Sequence, residues 1–149
     1  MPAASNMLVV SVTRMRLRRW RDWPAFLLHS VRSKAEAVRA EGCVAVDVRR
    51  AHGAFWTMSV WRTPESLRGF MLSGSHRKVM PRLAAWSDEA SMVRFEHPDG
   101  LLPSWDQAEM ELALRGRTSK VDHPSPAQAQ GLTLGEAGRQ VAGDAAMAH

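Results

Sequence analysis

The chain has 149 residues, of which 45% are hydrophobic and 23% charged; this is the mix of a globular domain and excludes a wholly disordered or fibrous chain. Its formal net charge of +5 is unevenly spread, because residues 1–82 hold 15 of the 20 Lys/Arg but only 5 of the 15 Asp/Glu. One cysteine, Cys43, excludes an internal disulfide and a cysteine metal cage, while no apolar run reaches the roughly 18 residues that span a bilayer.

Residues 7–17, MLVVSVTRMRL, read as a strand that is apolar on both faces at first and then alternates Met15 and Leu17 with arginines. Asp22 is placed as an N-cap with Pro24 in the first turn. From Trp23 to about Ala40, Leu27, Leu28, Val31, Ala35 and Val38 recur at helical spacing, and Gly42 stands where a helix C-cap is expected. Residues 43–50, CVAVDVRR, alternate strictly. A short turn over 51–53 joins them to residues 54–61, AFWTMSVW, as an antiparallel hairpin.

Thr63 and Pro64 open a second helix as N-cap and first residue. Its stripe is Leu67, Phe70 and Met71, and Ser73-Gly74 interrupts it. Ser75 begins a further helical stretch through Val79, Leu83 and Trp86. Residues 91–97 form a last strand, and a short helix covers about Ser104 to Leu114. Beyond Gly116 the chain turns to Ala, Gly, Gln and Pro, a composition too poor in large apolar groups to offset ordering entropy. The expected organisation is a disordered start over 1–6, one domain over 7–116 and a disordered tail over 117–149. The order strand, helix, strand, strand, helix, strand is the βαββαβ of an α+β, ferredoxin-like fold with a four-stranded antiparallel sheet.

Such a sheet leaves one face without helices. On residues 54–61 one face is Ala54, Trp56, Met58 and Val60, and is expected under the helices. The other is Phe55, Thr57, Ser59 and Trp61. Two large rings with hydroxyls between them suit neither open water nor a dry core and instead describe a ligand cavity. A second copy roofing that face would close a dimeric α/β barrel across a two-fold axis.

The segment FWTMSVWRTPESLRGFMLSGSHRKVM resembles the dimeric α/β-barrel superfamily of antibiotic biosynthesis monooxygenases, in which an aromatic strand ends in Trp and a small-residue break precedes a His. The nearest flavour is the spheroidene monooxygenase-like branch with related families of unknown function; LPSWDQA, residues 102–108, resembles a helix start in one of those. The likeness spans about residues 7–116. It implies a homodimer and a small oxygenase-type enzyme for a hydrophobic aromatic or polyene substrate, working either without a cofactor or with haem. Trp61 corresponds to the strand-ending Trp and His76 to the His after the break. Haem-degrading relatives differ, having Asn where this chain has Thr13 and their iron-binding His near Met80. The alternative is a non-catalytic ligand-binding or assembly module of the same fold.

Weighed residue by residue, His76 is the candidate acid/base or haem ligand. Phe55, Thr57, Ser59 and Trp61 shape the pocket, and Arg77 attracts an anionic aromatic. Asp47, on the strand face of Cys43 and Ala45, is a second candidate base if an arginine meets it. No metal-ligand spacing is present. The Arg14–Arg21 run is basic, but it lacks the aromatic platform of a nucleic-acid module, so nucleic acid is not an expected partner. Met1–Val12 lacks the basic start of an export signal, and a cytoplasmic location is expected.

Overall fold

The alternating segments pair into one antiparallel sheet, and the helical segments lie against it. A computed structural model describes residues 7–99 and 102–136, apart from the side chains of Gly74 and Ser75. Strands β1 (Met7–Leu17), β2 (Cys43–Ala51), β3 (Ala54–Trp61) and β4 (Ser87–Pro98) alternate with helices α1 (Trp23–Arg39), α2 (Pro64–Met71) and α3 (Gly74–Trp86). They are followed by α4 (Trp105–Arg115), a two-residue strand β5 (Arg117–Thr118) and a short helix α5 (Pro126–Ala129). The sheet order is β2-β3-β1-β4-β5, which is the α+β, ferredoxin-like arrangement with one strand more than expected.

Local sequence explains most of the boundaries. The Thr63 hydroxyl accepts from Ser66 N–H, capping α2 just before Pro64, as the spacing predicts. Gly42 ends α1 with φ +83, a left-handed value that glycine adopts without strain; a side chain there would also run into Ser66. Ser73, rather than Ser75, is the N-cap of α3. A 3-10 turn at Trp20–Asp22 runs directly into α1.

Residues opposed across the sheet share a face, so the pairing register fixes the two surfaces. One holds Val10, Val60 and Phe95, then Val12, Met58 and Val93, then Arg14, Trp56 and Ser91. This face is the core, and it packs with Ala108 and Leu112 of α4 and with Leu134. Trp105 meets Trp56 edge-on, with centroids 6.5 Å apart. The opposite face carries Phe55, Thr57, Ser59 and Trp61. There Phe26 of α1 stands edge-on to Phe55 at 5.1 Å, and Phe70 of α2 lies on Trp61 at 5.3 Å.

The expected assignment of faces is therefore reversed. Helices α1–α3 cover the Phe55/Trp61 face, and the Trp56 face is roofed by this chain's own α4 and C-terminal segment. Alternation says that a strand has two faces but carries no label for which element covers each.

Two further expectations change. The tail expected from 117 is folded as far as the description reaches, to residue 136: Val121, Ala127 and Leu134 are buried. The Gln128 side chain bonds both backbone groups of Ala90 and the carbonyl of Ser119. Residues 1–6 and 137–149, also expected to be disordered, lie outside the described residues. β4 begins at Ser87, four residues before the expected start, because its charged entry is neutralised internally. Arg14 (3% exposed) pairs with Glu89 (1% exposed) at 3.0 Å, and Arg16 holds Asp88 through two bonds of 2.9 and 2.7 Å. The basic run of β1 thus meets the acidic stretch of β4 inside one chain. Among the described residues no helix is long and apolar enough to cross a membrane.

Candidate functional site

Strand β3 ends on Trp61, fully buried, and the chain reverses through the Thr63 cap so that α2 lies back over the strand. Leu67 points into the packed layer, and Phe70, three residues on, shares its side of the helix. The Phe70 ring rests on Trp61 with an interplanar angle of 32°. After the Ser73 break, α3 brings His76 against the other side of Phe70, with centroids 5.4 Å apart. Trp61, Phe70 and His76 form one ring cluster under the helices.

Two nitrogens of this cluster are unusual. Trp61 Nε1 and His76 Nδ1 are both buried, and neither has a hydrogen-bond partner among the described residues. A buried polar atom without a partner costs about 1–3 kcal/mol, and such atoms in a cleft are where a ligand or water supplies the missing bond. Burial pushes the His76 pKa below its ordinary 6.5, with the Glu36 carboxylate pulling weakly the other way. At neutral pH the ring is uncharged and can accept a proton.

The cluster backs onto a cleft between α1 and the α2–α3 pair. One lobe, about 780 Å³, lies between Glu36, Ala40 and Glu41 on one side and Glu65, Phe70, Ser73 and Lys78 on the other. A second lobe, about 350 Å³, reaches His76 and Val79 from His29, Arg32 and Ser33. Glu36 and Lys78 border both. Carboxylates outnumber cations in the larger lobe.

Of the residues singled out from sequence, Trp61 and His76 come together. Thr57 and Ser59 are half-buried on the same sheet face, while Phe55 lies further along β3 against Phe26. Arg77 is exposed and does not border the cleft. Asp47 is on the opposite face, exposed, and accepts from Trp105 Nε1 at 2.9 Å and from Val48 N–H; no arginine meets it among the described residues. Phe70, Glu36 and Lys78 were not expected in the site. Phe70 sits at core spacing in its helix, and Glu36 belongs to a helix distant in sequence from α2 and α3.

Haem does not fit this arrangement. Phe70 fills the space between Trp61 and His76, which leaves no slot for a flat macrocycle against both rings. No cluster of three or more His, Cys, Asp or Glu able to hold a metal is present among the described residues. Cys43 is half-buried, and burial raises its thiol pKa, so it is a poor nucleophile.

The depressed His76 pKa has a consequence for stability. Between the folded value and 6.5 the unfolded chain binds more protons, so stability is complete above about pH 6.5 and falls as pH drops through the folded value. Thermal melts of the wild type from pH 7.5 to 5 should show this decline, and His76→Gln should flatten it.

Residues 22–121 match a family model described as a domain of unknown function, DUF3291. Among solved structures, the fold is similar to a conserved protein from Methanosarcina mazei Go1 (16% identity, 64% of this chain and 97% of that one, TM-score 0.56). It is also similar to SnoaB, a cofactor-independent oxygenase from Streptomyces nogalater (21%, 65% and 98%, TM-score 0.52), and to an antibiotic biosynthesis monooxygenase (12%, 64% and 99%, TM-score 0.54). These neighbours are matched over nearly their whole length, so about a third of this chain has no counterpart in them. No curated protein matches the sequence.

Proposed function

The chain belongs to the DUF3291 family and has the antibiotic biosynthesis monooxygenase-like fold, and from that premise we propose that it is a small oxygenase-type enzyme for a hydrophobic aromatic or polyene substrate. The observation that carries this reading is the buried, unpartnered Nδ1 of His76, whose ring borders a cleft beside Phe70, with Trp61 and its own unpartnered Nε1 behind Phe70. The rings of Phe70 and His76 on the cleft wall suit a flat apolar ligand. The neutral imidazole is placed to take the proton of an acidic phenol or enol. The anion that results gives up an electron to dioxygen far more readily than the neutral molecule does.

The larger lobe is acidic, whereas the lobe beside His76 carries Arg32, Lys78 and Arg82 against Glu36, so an anion formed at His76 meets cations. A cofactor-free reaction suits this cleft better than haem. Nothing favours the spheroidene monooxygenase-like branch over its neighbours. A cytoplasmic location agrees with the lone half-buried thiol of Cys43. A homodimer built on the sheet face opposite α1–α3 would have to form over α4 and the C-terminal segment, which pack on its Trp56 region.

The test is oxygen uptake by the purified protein with a polycyclic phenol such as 1-anthracenol. Wild type should consume oxygen above the spontaneous rate, and His76→Ala should lower turnover about 10²-fold or more. Ligand-induced stabilisation with no turnover in either protein would leave the second reading, a binding module that uses the same cleft.

A further inference from the structure

Helix α1 turns its apolar stripe outward. Its buried residues are Phe26 and Ala37, while Leu27, Leu28, Val31 and Val38 are exposed, Leu28 by 50% and Val31 by 67%. With 3.6 residues per turn, these four fall with Pro24 and Ala35 on one outward stripe. The 3-10 turn that leads into the helix adds Trp20, 81% exposed, to the same line. A large aromatic so exposed at the head of a helical apolar stripe is a contact surface without a contact.

The edges of the stripe are basic. Arg21, Arg32, Lys34 and Arg39 flank it, all are exposed, and none forms an ion pair among the described residues. An outward apolar stripe headed by Trp and bordered by Arg and Lys is the layout of a helix that lies in a membrane interface. Charge complementarity selects among occupants. Two copies meeting across a two-fold axis near Val31 would set Arg32 against its own equivalent, whereas an anionic lipid surface meets cations on both edges at once. Single-stranded nucleic acid stacks on several aromatics in succession, and here Trp23, the next aromatic, is already covered by Arg50 at 4.4 Å.

We infer that α1 and its leading turn dock on anionic membrane surfaces, with the Trp20–Val38 stripe dipping into the interface. Arg32 borders both the stripe and the smaller lobe of the cleft, so docking brings that lobe beside the lipid. This inference stands on surface residues alone and does not depend on the chemistry proposed for His76.

The experiment is co-flotation of the full chain with vesicles of phosphatidylcholine alone or mixed equally with phosphatidylglycerol. Binding is expected on the mixed vesicles, at least about tenfold weaker on neutral ones, and reduced in high salt. Val31→Glu and Trp20→Ser should each weaken it about tenfold or more while melting like the wild type. The inference is overturned if mixed vesicles are not bound, or if both variants bind as well as the wild type. It falls too if Val31→Glu fails to fold, since the stripe would then be packed. Loss of a dimer in Val31→Glu without vesicle binding would identify a second copy as the occupant, and retention of single-stranded DNA in preference to vesicles would identify nucleic acid; either result overturns it.

Discussion

A chain ending at Gly116 should lose at least about 3 kcal/mol of unfolding free energy and associate through its sheet, although that is where composition alone draws the domain boundary. The cut removes Leu134 from the central core and the buried Val121 and Ala127; loss of one large core side chain alone costs about 2–5 kcal/mol. It removes Ser125, which donates to Glu89 at 2.8 Å, and Gln128, which bonds the backbone of β4. It also removes Thr133, whose hydroxyl donates to the Leu112 carbonyl at 3.0 Å. Part of the apolar Trp56 face would then meet water and seek another copy. Urea unfolding and light scattering of the full and shortened chains make the comparison. A shortened chain that is equally stable and equally dispersed would show that the roof is dispensable.

Glu89→Ala should be the most damaging single substitution outside the site. Arg14 and Glu89 are both almost wholly buried and pair at 3.0 Å, so removing the carboxylate leaves a guanidinium uncompensated in the interior. Breaking one side of such a pair costs about 3–5 kcal/mol, which is roughly 10 °C or more in Tm. Gly135, with φ +63, lies so close that any side chain there would strike the Glu89 carboxylate, so the loss should spread to the C-terminal segment. Replacing both partners with apolar groups, as in Arg14→Met with Glu89→Leu, should recover most of the stability, because apolar residues can fill the space of a buried ion pair at little cost. By contrast, Asp88→Ala should cost under about 1 kcal/mol, since the Arg16–Asp88 pair is partly open to solvent. Thermal melts of the three variants give the ranking.

Elements with a local cause were legible in the sequence. β3 occupies residues 54–61, as its alternation predicts, and the Thr63-Pro64 start of α2 follows from cap chemistry. Trp61 and His76 were legible as a pair because strand end, cap and helix break lie close along the chain. Contacts that depend on distant segments were not. The periodicity of α1 locates its apolar stripe but cannot say that the stripe faces outward. The two faces of β3 look equally coverable until α4 is known to lie on Trp56. The segment 117–136 was misread because its residues are small and polar, and those properties are what let it pack: Ala127 and Gly135 permit close approach, and Gln128 and Ser125 bond polar groups of β4. The charged start of β4 reads as a loop only while Arg14 and Arg16 are out of view.

The central claim is that the cleft lined by Phe70 and His76, on the helix side of the sheet, receives the ligand within a single chain. Nuclear magnetic resonance of the indole N–H groups and histidine ring nitrogens tests it most directly during titration with 1-naphthol. Trp61 Nε1 and His76 Nδ1 should shift together and saturably, while Trp56 and Trp105 on the roofed face stay still. Shifts confined to Trp56 and Trp105, or no saturable shift at His76, would contradict the account.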